Sequence, residues 1–318
     1  MTYYSMRFGN KKFLCFGIGN GLGSRLFPWA RCRIFSKIHG GTVVTPIWAR
    51  PAIGQIFRGG VNYPSYMRQI ALWDLFQQRA GDTGILAGYF KTRLMKVIDE
   101  PNNLNDFPKE AANKKIIFQY KLSDNFQPLN GWSEFLHNEL RAITKKKYLA
   151  LADKPKSIPI GIVVRCGNDY DEPSSDDCIT LKYGEKTPVK WFVRMLQMIR
   201  NEIGEDVNAY VVSDGTTRQL AELLAMKNTH FVRPGSAISD LLTISRAKVL
   251  LAAGTSTFSA WASFLGQMPS ASHPGQPLTN WGVVPMRKQF IGEINPQNPL
   301  PEFIEQVKQT LISDCEYA

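Results

Sequence analysis

An arginine stands directly behind an apolar run in Ile160-Gly-Ile-Val-Val-Arg165. Its planar guanidinium suits a pair of phosphate oxygens. Five carboxylates crowd the next segment: Asp169, Asp171, Glu172, Asp176 and Asp177. One of them can take a proton as a general base, or hold Arg165 in place. The plainer alternative is a salt-bridged surface loop. A second candidate is Gly17-Ile-Gly19-Asn-Gly21-Leu-Gly23-Ser24-Arg25. Its glycines fit neither the dinucleotide fingerprint nor a P-loop. What remains is a Gly-rich turn opening a helix, where backbone amides and the helix dipole favour an anion. Arg25 in the first helical turn opposes that dipole, and a nearby anion would explain it. A tight turn needing positive φ is the plainer reading. The third candidate runs from Asp240 through an apolar segment to Gly254-Thr-Ser256-Thr257-Phe-Ser259-Ala-Trp261. Hydroxyls beside the open N–H groups of a helix start make another anion site. Helix capping by Ser256 or Thr257 is compatible with it.

Other chemistries find little support. The four histidines (His39, His137, His230, His273) are dispersed, with no HxH or HExxH. No CxxC or GxSxG occurs, so neither a metal site nor a serine nucleophile elbow is expected.

The elements that must position these residues alternate. A strand at 12–17, a turn at 18–23, a helix from Ser24 to about His39 and a strand at 42–45 form a βαβ unit. The pattern then loosens, with helices at 66–79 and 132–149 and a strand at 115–119. From about 156, strands at 158–164, 209–212, 230–232 and 249–253 alternate with helices at 188–203, 216–227, 239–247 and 257–265. A helix at 301–312 closes the chain. Such alternation predicts an α/β fold with a doubly wound sheet, whose ligands sit at the carboxyl ends of the strands. The uncharged stretch Val249–Gly266 has the length of a membrane span. Its serines and threonines favour a buried strand followed by a helix.

Together, the three segments resemble the fucosyltransferase superfamily, in particular the bacterial α-1,2-fucosyltransferases and the nodulation α-1,6-fucosyltransferase. The shared features are Gly21-Leu-Gly23-Ser-Arg-Leu-Phe, Val163-Val-Arg165-Cys-Gly167-Asn, and Asp240 through Ser256-Thr257-Phe258-Ser259-Ala-Trp261, in that order. The resemblance implies a GT-B-like architecture of two Rossmann-like domains facing a cleft. Residues 1–155 would form the acceptor-side domain and 156–318 the nucleotide-sugar-binding domain. It implies transfer of fucose from GDP-fucose to a glycan hydroxyl, with inversion and without a metal or other cofactor. Arg165 would neutralise the β-phosphate, and Asp240 would accept from the guanine edge. Ser256, Thr257 and Ser259 would bind the diphosphate, and the turn Gly21, Gly23, Ser24, Arg25 would face the donor. Inversion needs a base, for which Asp169 comes first, then Asp171 and Glu172. The chain departs from the family at Val163, where a His is usual, at Cys166, where a second Arg is usual, and at Ser24-Arg25, where Asn-Gln is usual in the α-1,2 group. These departures leave the linkage and the sugar open.

Composition sets the setting. The 318 residues carry a net charge of +11 and are 44% hydrophobic, an ordinary globular balance. Residues 1–155 hold 23 basic and 10 acidic side chains, a net of +13, and the remainder is slightly acidic. That half would attract an anionic membrane or a phosphorylated acceptor, such as a lipid-linked glycan. Five cysteines, an odd number, and a start without an export signal predict free thiols and a cytoplasmic protein, peripheral at the inner membrane face. Three other readings remain: a GT-B enzyme using another nucleotide sugar, a catalytically dead glycan-binding relative, and a basic nucleic-acid-binding protein. The last has no RNP, KH, zinc-finger or helix-turn-helix signature behind it.

Overall fold

The computed structural model describes residues 2–7, 21–48, 74–121, 123–167, 170–232 and 235–312. The strand expected at 12–17 lies outside this set, as do Asp169, Cys15 and Cys315. The chain divides into two units, Met1–Leu149 with Ser236–Ile238, and Ala150–Gly235 with Ser239–Ala318.

The first unit is built on a parallel four-stranded sheet. Its strands are β1 (Tyr3–Arg7), β2 (Thr42–Val43), β3 (Val97–Asp99) and β4 (Lys115–Gln119), in the order β2-β1-β4-β3. Helix α1 (Leu22–His39) covers one face. Leu26, Phe27, Ala30 and Ile34 recur at helical spacing and are buried. Tyr4 of β1 meets Phe35 and Phe118 edge-on at 5.3 and 6.3 Å, which locks helix to sheet. The helix starts earlier than the sequence suggests. Gly21 is its N-cap, so Ser24 lies inside the first turn rather than capping it.

Arginines are buried on this same helix. Arg31 reaches Glu100 at 2.8 Å and Asp124 at 2.6 Å. Arg33 joins Asp82 at 2.8 Å and also pairs with Glu139. Part of the positive charge counted in residues 1–155 is therefore internal and neutralised.

Two expected helices change form. Residues 74–79, the described end of the 66–79 prediction, are a turn and a bridge rather than an α-helix. The helix expected over 132–149 is two helices, α3 (Ser133–Ile143) and α4 (Lys146–Asp153). They part at Thr144, whose backbone is extended and bridges Phe76. Its hydroxyl donates to the Leu140 carbonyl at 2.7 Å, the local bond by which Thr competes with a helix. An additional helix, α2 (Ile85–Thr92), precedes β3.

The second unit holds a parallel six-stranded sheet. Its strands are β5 (Ile160–Val164), β6 (Ala209–Ser213), β7 (Thr229–Phe231), β8 (Val249–Ala252), β9 (Ser270–Ser272) and β10 (Ile291–Glu293). The order is β10-β9-β8-β5-β6-β7. Counted from β5 as the first strand, and read from the β7 edge, this is 3-2-1-4-5-6, the doubly wound order of dinucleotide-binding sheets. The strand order reverses between β5 and β8. Helices α5 (Val189–Ile203), α6 (Ala221–Leu224), α7 (Ala237–Ile244), α8 (Thr257–Gly266) and α9 (Pro301–Ile312) complete the unit. Trp191, Phe192, Met195, Leu196 and Ile199 of α5 share a core with Phe303, Val307 and Leu311 of α9. Each such side chain contributes about 1.5–3 kcal/mol by leaving water. The uncharged stretch at 249–266 is strand β8 followed by α8, as its hydroxyls suggest. Among the described residues no helix is long and apolar enough to cross a membrane.

Candidate functional site

Strand β5 is buried throughout and ends at Val164, so Arg165 is the first residue on the carboxyl edge of the sheet. The register fixes what lies beside it. Val164 pairs with Ser213 of β6, which puts Asp214 level with Arg165. Val163 pairs with Ala252 of β8, which puts Gly254 level with Arg165 on the other side. Neighbouring strands lie about 4.8 Å apart, so these three positions are adjacent. They flank the point where the strand order reverses, the place where such sheets bind ligands.

The guanidinium of Arg165 is held from two directions. Nη1 donates to Asp214 Oδ2. The other carboxylate oxygen accepts the Cys166 N–H at 2.8 Å. Asp214 thus grips both the side chain and the backbone of the β5 edge. The next residue, Gly215, is needed for this approach, because a Cβ there would lie 2.7 Å from Cys166 Sγ. On its other side, Arg165 stacks its Cζ 5.2 Å from the centre of the Tyr170 ring. Tyr170 in turn donates its hydroxyl to the Thr255 carbonyl at 3.3 Å. One connected set, Asp214–Arg165–Tyr170–Thr255, therefore spans the ends of β6, β5 and β8. The Arg165 side chain keeps 27% of its surface exposed and Asp214 keeps 11%. Burial raises the Cys166 thiol above its ordinary value, so it stays protonated at neutral pH and is a poor nucleophile.

The hydroxyl cluster follows β8. Thr255 and Ser256 are buried, and Thr257 is half-buried. Ser256 is the N-cap of α8, in extended conformation, yet it makes no side-chain capping bond. Ser259 is fully buried, and its Oγ has no hydrogen-bond partner among the described residues. The β8 turn is rigid. The Gly254 carbonyl accepts from Trp281 Nε1 at 3.0 Å, and a Cβ on Gly254 would stand 1.6 Å from the Gln276 carbonyl. Gln276 anchors that strand end to the 182–187 segment, donating to the Glu185 carbonyl at 2.7 Å and accepting from Thr187 at 2.9 Å. Asp240 lies in the first turn of α7, on the same carboxyl edge beyond β7, and is half-buried. Its Oδ1 would sit 1.9 Å from a Cβ on Gly235, so the carboxylate rests against bare backbone.

The acidic loop is mostly committed elsewhere. Glu172 pairs with Lys186. Asp177 accepts from Arg194 at 2.6 Å and Lys190 at 2.8 Å, and these bonds hold its carboxyl below the usual range. Neither is poised as a base. The backbone of Asp171 is fixed by Gly184 and Lys186, with its carboxylate on an exposed residue. The carboxylate that grips Arg165 is Asp214, not a member of this loop. The sequence carries its signal in Val211-Val-Ser-Asp214-Gly215, an acid directly behind an apolar strand, the same pattern that marks Arg165.

In the first unit, Gly21, Gly23, Ser24 and Arg25 open α1 at the carboxyl edge of its sheet. Gly21 is exposed with an extended φ of −64°, so positive φ is not its reason there. Ser24 is half-buried. Gly23 and Arg25 are buried, and the Arg25 guanidinium donates to the Trp48 carbonyl inside the unit. No cluster of three or more His, Cys, Asp or Glu placed to hold a metal occurs among the described residues.

No family model matches the chain, and no curated protein matches it. Solved structures do. POFUT1 in complex with GDP aligns at a TM-score of 0.50 and 14% identity, covering 85% of this chain and 98% of that one. The NodZ α-1,6-fucosyltransferase soaked with GDP-fucose aligns at 0.47 and 14%, covering 84% and 93%. The fucosyltransferase NodZ from Bradyrhizobium aligns at 0.47 and 15%, covering 84% and 94%. The chain has a fucosyltransferase-like, GT-B-type fold of two parallel α/β units.

Proposed function

We propose that this protein is a glycosyltransferase that moves fucose from GDP-fucose to a hydroxyl of a glycan acceptor, with inversion and without a metal. The observation that carries the reading is the position of Arg165. It is clamped by Asp214 at the strand-order reversal of a 3-2-1-4-5-6 sheet and stands level with Gly254, where the hydroxyl-rich turn into α8 begins.

The chemistry follows from charge. Breaking the bond to the anomeric carbon leaves negative charge on a phosphate oxygen of GDP. Groups that meet this charge more strongly in the transition state than in the ground state accelerate the step. Arg165 supplies a fixed positive charge, and its orientation is set before the donor arrives. The N-terminus of α8, with Ser256 and Thr257, supplies amides, hydroxyls and the positive end of a helix dipole. Asp240 would accept hydrogen bonds from the base. Ser259 is fully buried, so its part in the diphosphate site would be to support the turn from behind.

The acceptor hydroxyl must lose a proton during inversion. Of the three candidate bases Glu172 is held in an ion pair, which leaves Asp169 and Asp171; Asp169 lies outside the described residues. Gly21 and Ser24 would give the first unit a helix start that favours an anion, while Arg25 would act from within that unit by bracing the turn.

A thermal-shift series with GDP, UDP and dTDP tests the reading and the base together. GDP raises the melting temperature most, and Arg165→Ala removes the gain. A larger gain with UDP or dTDP would move the donor to another nucleotide sugar. Steep, salt-sensitive binding to a random oligonucleotide without any nucleotide effect would favour the nucleic-acid reading.

A further inference from the structure

The most exposed apolar side chains of the first unit lie together in the chain. They sit on α2 and the turn that follows it. Leu86 is 75% exposed, Tyr89 62%, Phe90 63% and Leu94 89%. A monomeric surface rarely gathers such groups in one place without a partner. The helix touches its own sheet by a narrow edge. Gly88 and Thr92 are its only buried residues, and a Cβ on Gly88 would lie 2.4 Å from a Val44 methyl carbon. Beneath it is a cavity of about 520 Å³, lined mainly by Val44, Ile47, Ile85, Leu86 and Tyr89, with Lys115 as its charged member.

The charges on this segment are basic. From Thr83 to Ile98 the chain carries Lys91, Arg93 and Lys96 and no acid. Arg93 lies 5.8 Å over the Phe90 ring, so cation and aromatic share one surface. Two acids border it: Asp99, exposed at the end of β3, and Glu110, which is paired with Lys114 at 3.0 Å. Exposed leucines and aromatics interleaved with Lys and Arg are the composition of a segment lying in a membrane interface. There the aromatics sit at headgroup depth while long basic side chains reach lipid phosphates.

We infer that the first unit docks on an anionic lipid bilayer through α2 and the 93–97 turn. The apolar side chains enter the interface, and the cavity under α2 accepts a hydrocarbon chain. The inference does not rest on the nucleotide site. It is independent of the net charge of residues 1–155, part of which is buried on α1.

Vesicle flotation tests it with the full chain. Vesicles of phosphatidylcholine alone are compared with vesicles of phosphatidylcholine and phosphatidylglycerol. Wild type floats with the mixed vesicles and far less with the neutral ones. The triple variant Leu86→Ser, Phe90→Ser, Leu94→Ser stays at the bottom in both cases. The double variant Lys91→Glu, Arg93→Glu loses about tenfold or more of its binding to the anionic vesicles. All substituted positions are exposed, so both variants should keep the wild-type melting temperature and the GDP-induced shift, which separates this outcome from failure of the nucleotide reading. Absence of wild-type flotation overturns the inference, as does flotation of both variants at the wild-type level. Light scattering is the further control. A wild-type dimer that the triple variant converts to monomer would assign the patch to a second copy of the chain instead.

Discussion

Asp214→Asn tests the grip on Arg165 at almost constant shape. Asn keeps an oxygen for the Cys166 N–H, now 2.8 Å from Asp214 Oδ1. It replaces the oxygen facing Arg165 Nη1 with an amide that is itself a donor. A hydrogen bond to a charged group is worth about 1.5–3 kcal/mol. Arg165 is 27% exposed and can turn towards water, so the loss should fall below that range, at about 1 kcal/mol. For the second unit, whose size is that of an ordinary domain, that lowers the melting temperature by about 2–4 °C. The kinetic loss should be larger. A charge-stabilising donor that is no longer oriented costs about 10²-fold in turnover. Donor cleavage, followed by GDP release, is the assay. The deciding variant is the double substitution. If Asp214 acts only through Arg165, Asp214→Asn added to Arg165→Ala lowers turnover no further. Additive losses would refute the positioning role, and unchanged turnover in Asp214→Asn alone would refute it more simply.

Other outcomes follow from the same geometry. Gly254→Ala forces a methyl group to within 1.6 Å of the Gln276 carbonyl, so it should cost about 1–3 kcal/mol or more in urea unfolding and weaken GDP binding. Arg33→Met leaves Glu139 and Asp82 buried without their main cation; it should destabilise the protein by about 3–5 kcal/mol in the same assay. His273 is buried, and burial lowers its pKa below the ordinary value of 6.5. The unfolded chain therefore binds its proton first. That contribution to stability is complete above about pH 7 and is lost as pH falls through about 6.5 towards the folded value. His273→Gln should flatten the dependence of the urea midpoint on pH over that interval.

The sequence reveals most of the second unit because its signals are local. β5 and β8 are continuous apolar runs, α5 has an apolar stripe, and each ends at a residue type that marks an edge. For that reason the sequence alone puts Arg165 and the 255–259 hydroxyls on the carboxyl edge. Strand β9 escapes the same reading. Ser270-Ala-Ser272 has no apolar run, yet it is wholly buried. Its serines are satisfied inside, with Ser270 Oγ 2.8 Å from Ser263 Oγ and donating to the Met268 carbonyl at 2.9 Å. Buried polar side chains with internal partners leave no periodic signature. The role of Asp214 is hidden in the sequence for a different reason. Its partner is 49 residues away in sequence, and only the β5–β6 register makes them neighbours. The break at Thr144 likewise depends on a pairing with Phe76 that helix periodicity does not contain. In the first unit, the arginines of α1 look like surface charge in a linear reading. Their carboxylate partners are Glu100 just after β3, Asp124 in the turn after β4, Asp82 before α2 and Glu139 of α3, so their burial is a property of the tertiary fold alone.

Calorimetric titration of GDP into wild type and into Arg165→Ala bears most directly on the nucleotide site. The account predicts one site per chain in wild type, and binding weakened at least tenfold in the variant, whose melting temperature stays within a few degrees of wild type. Equal affinity in the two proteins, or no heat with GDP, UDP or dTDP in either, would contradict it.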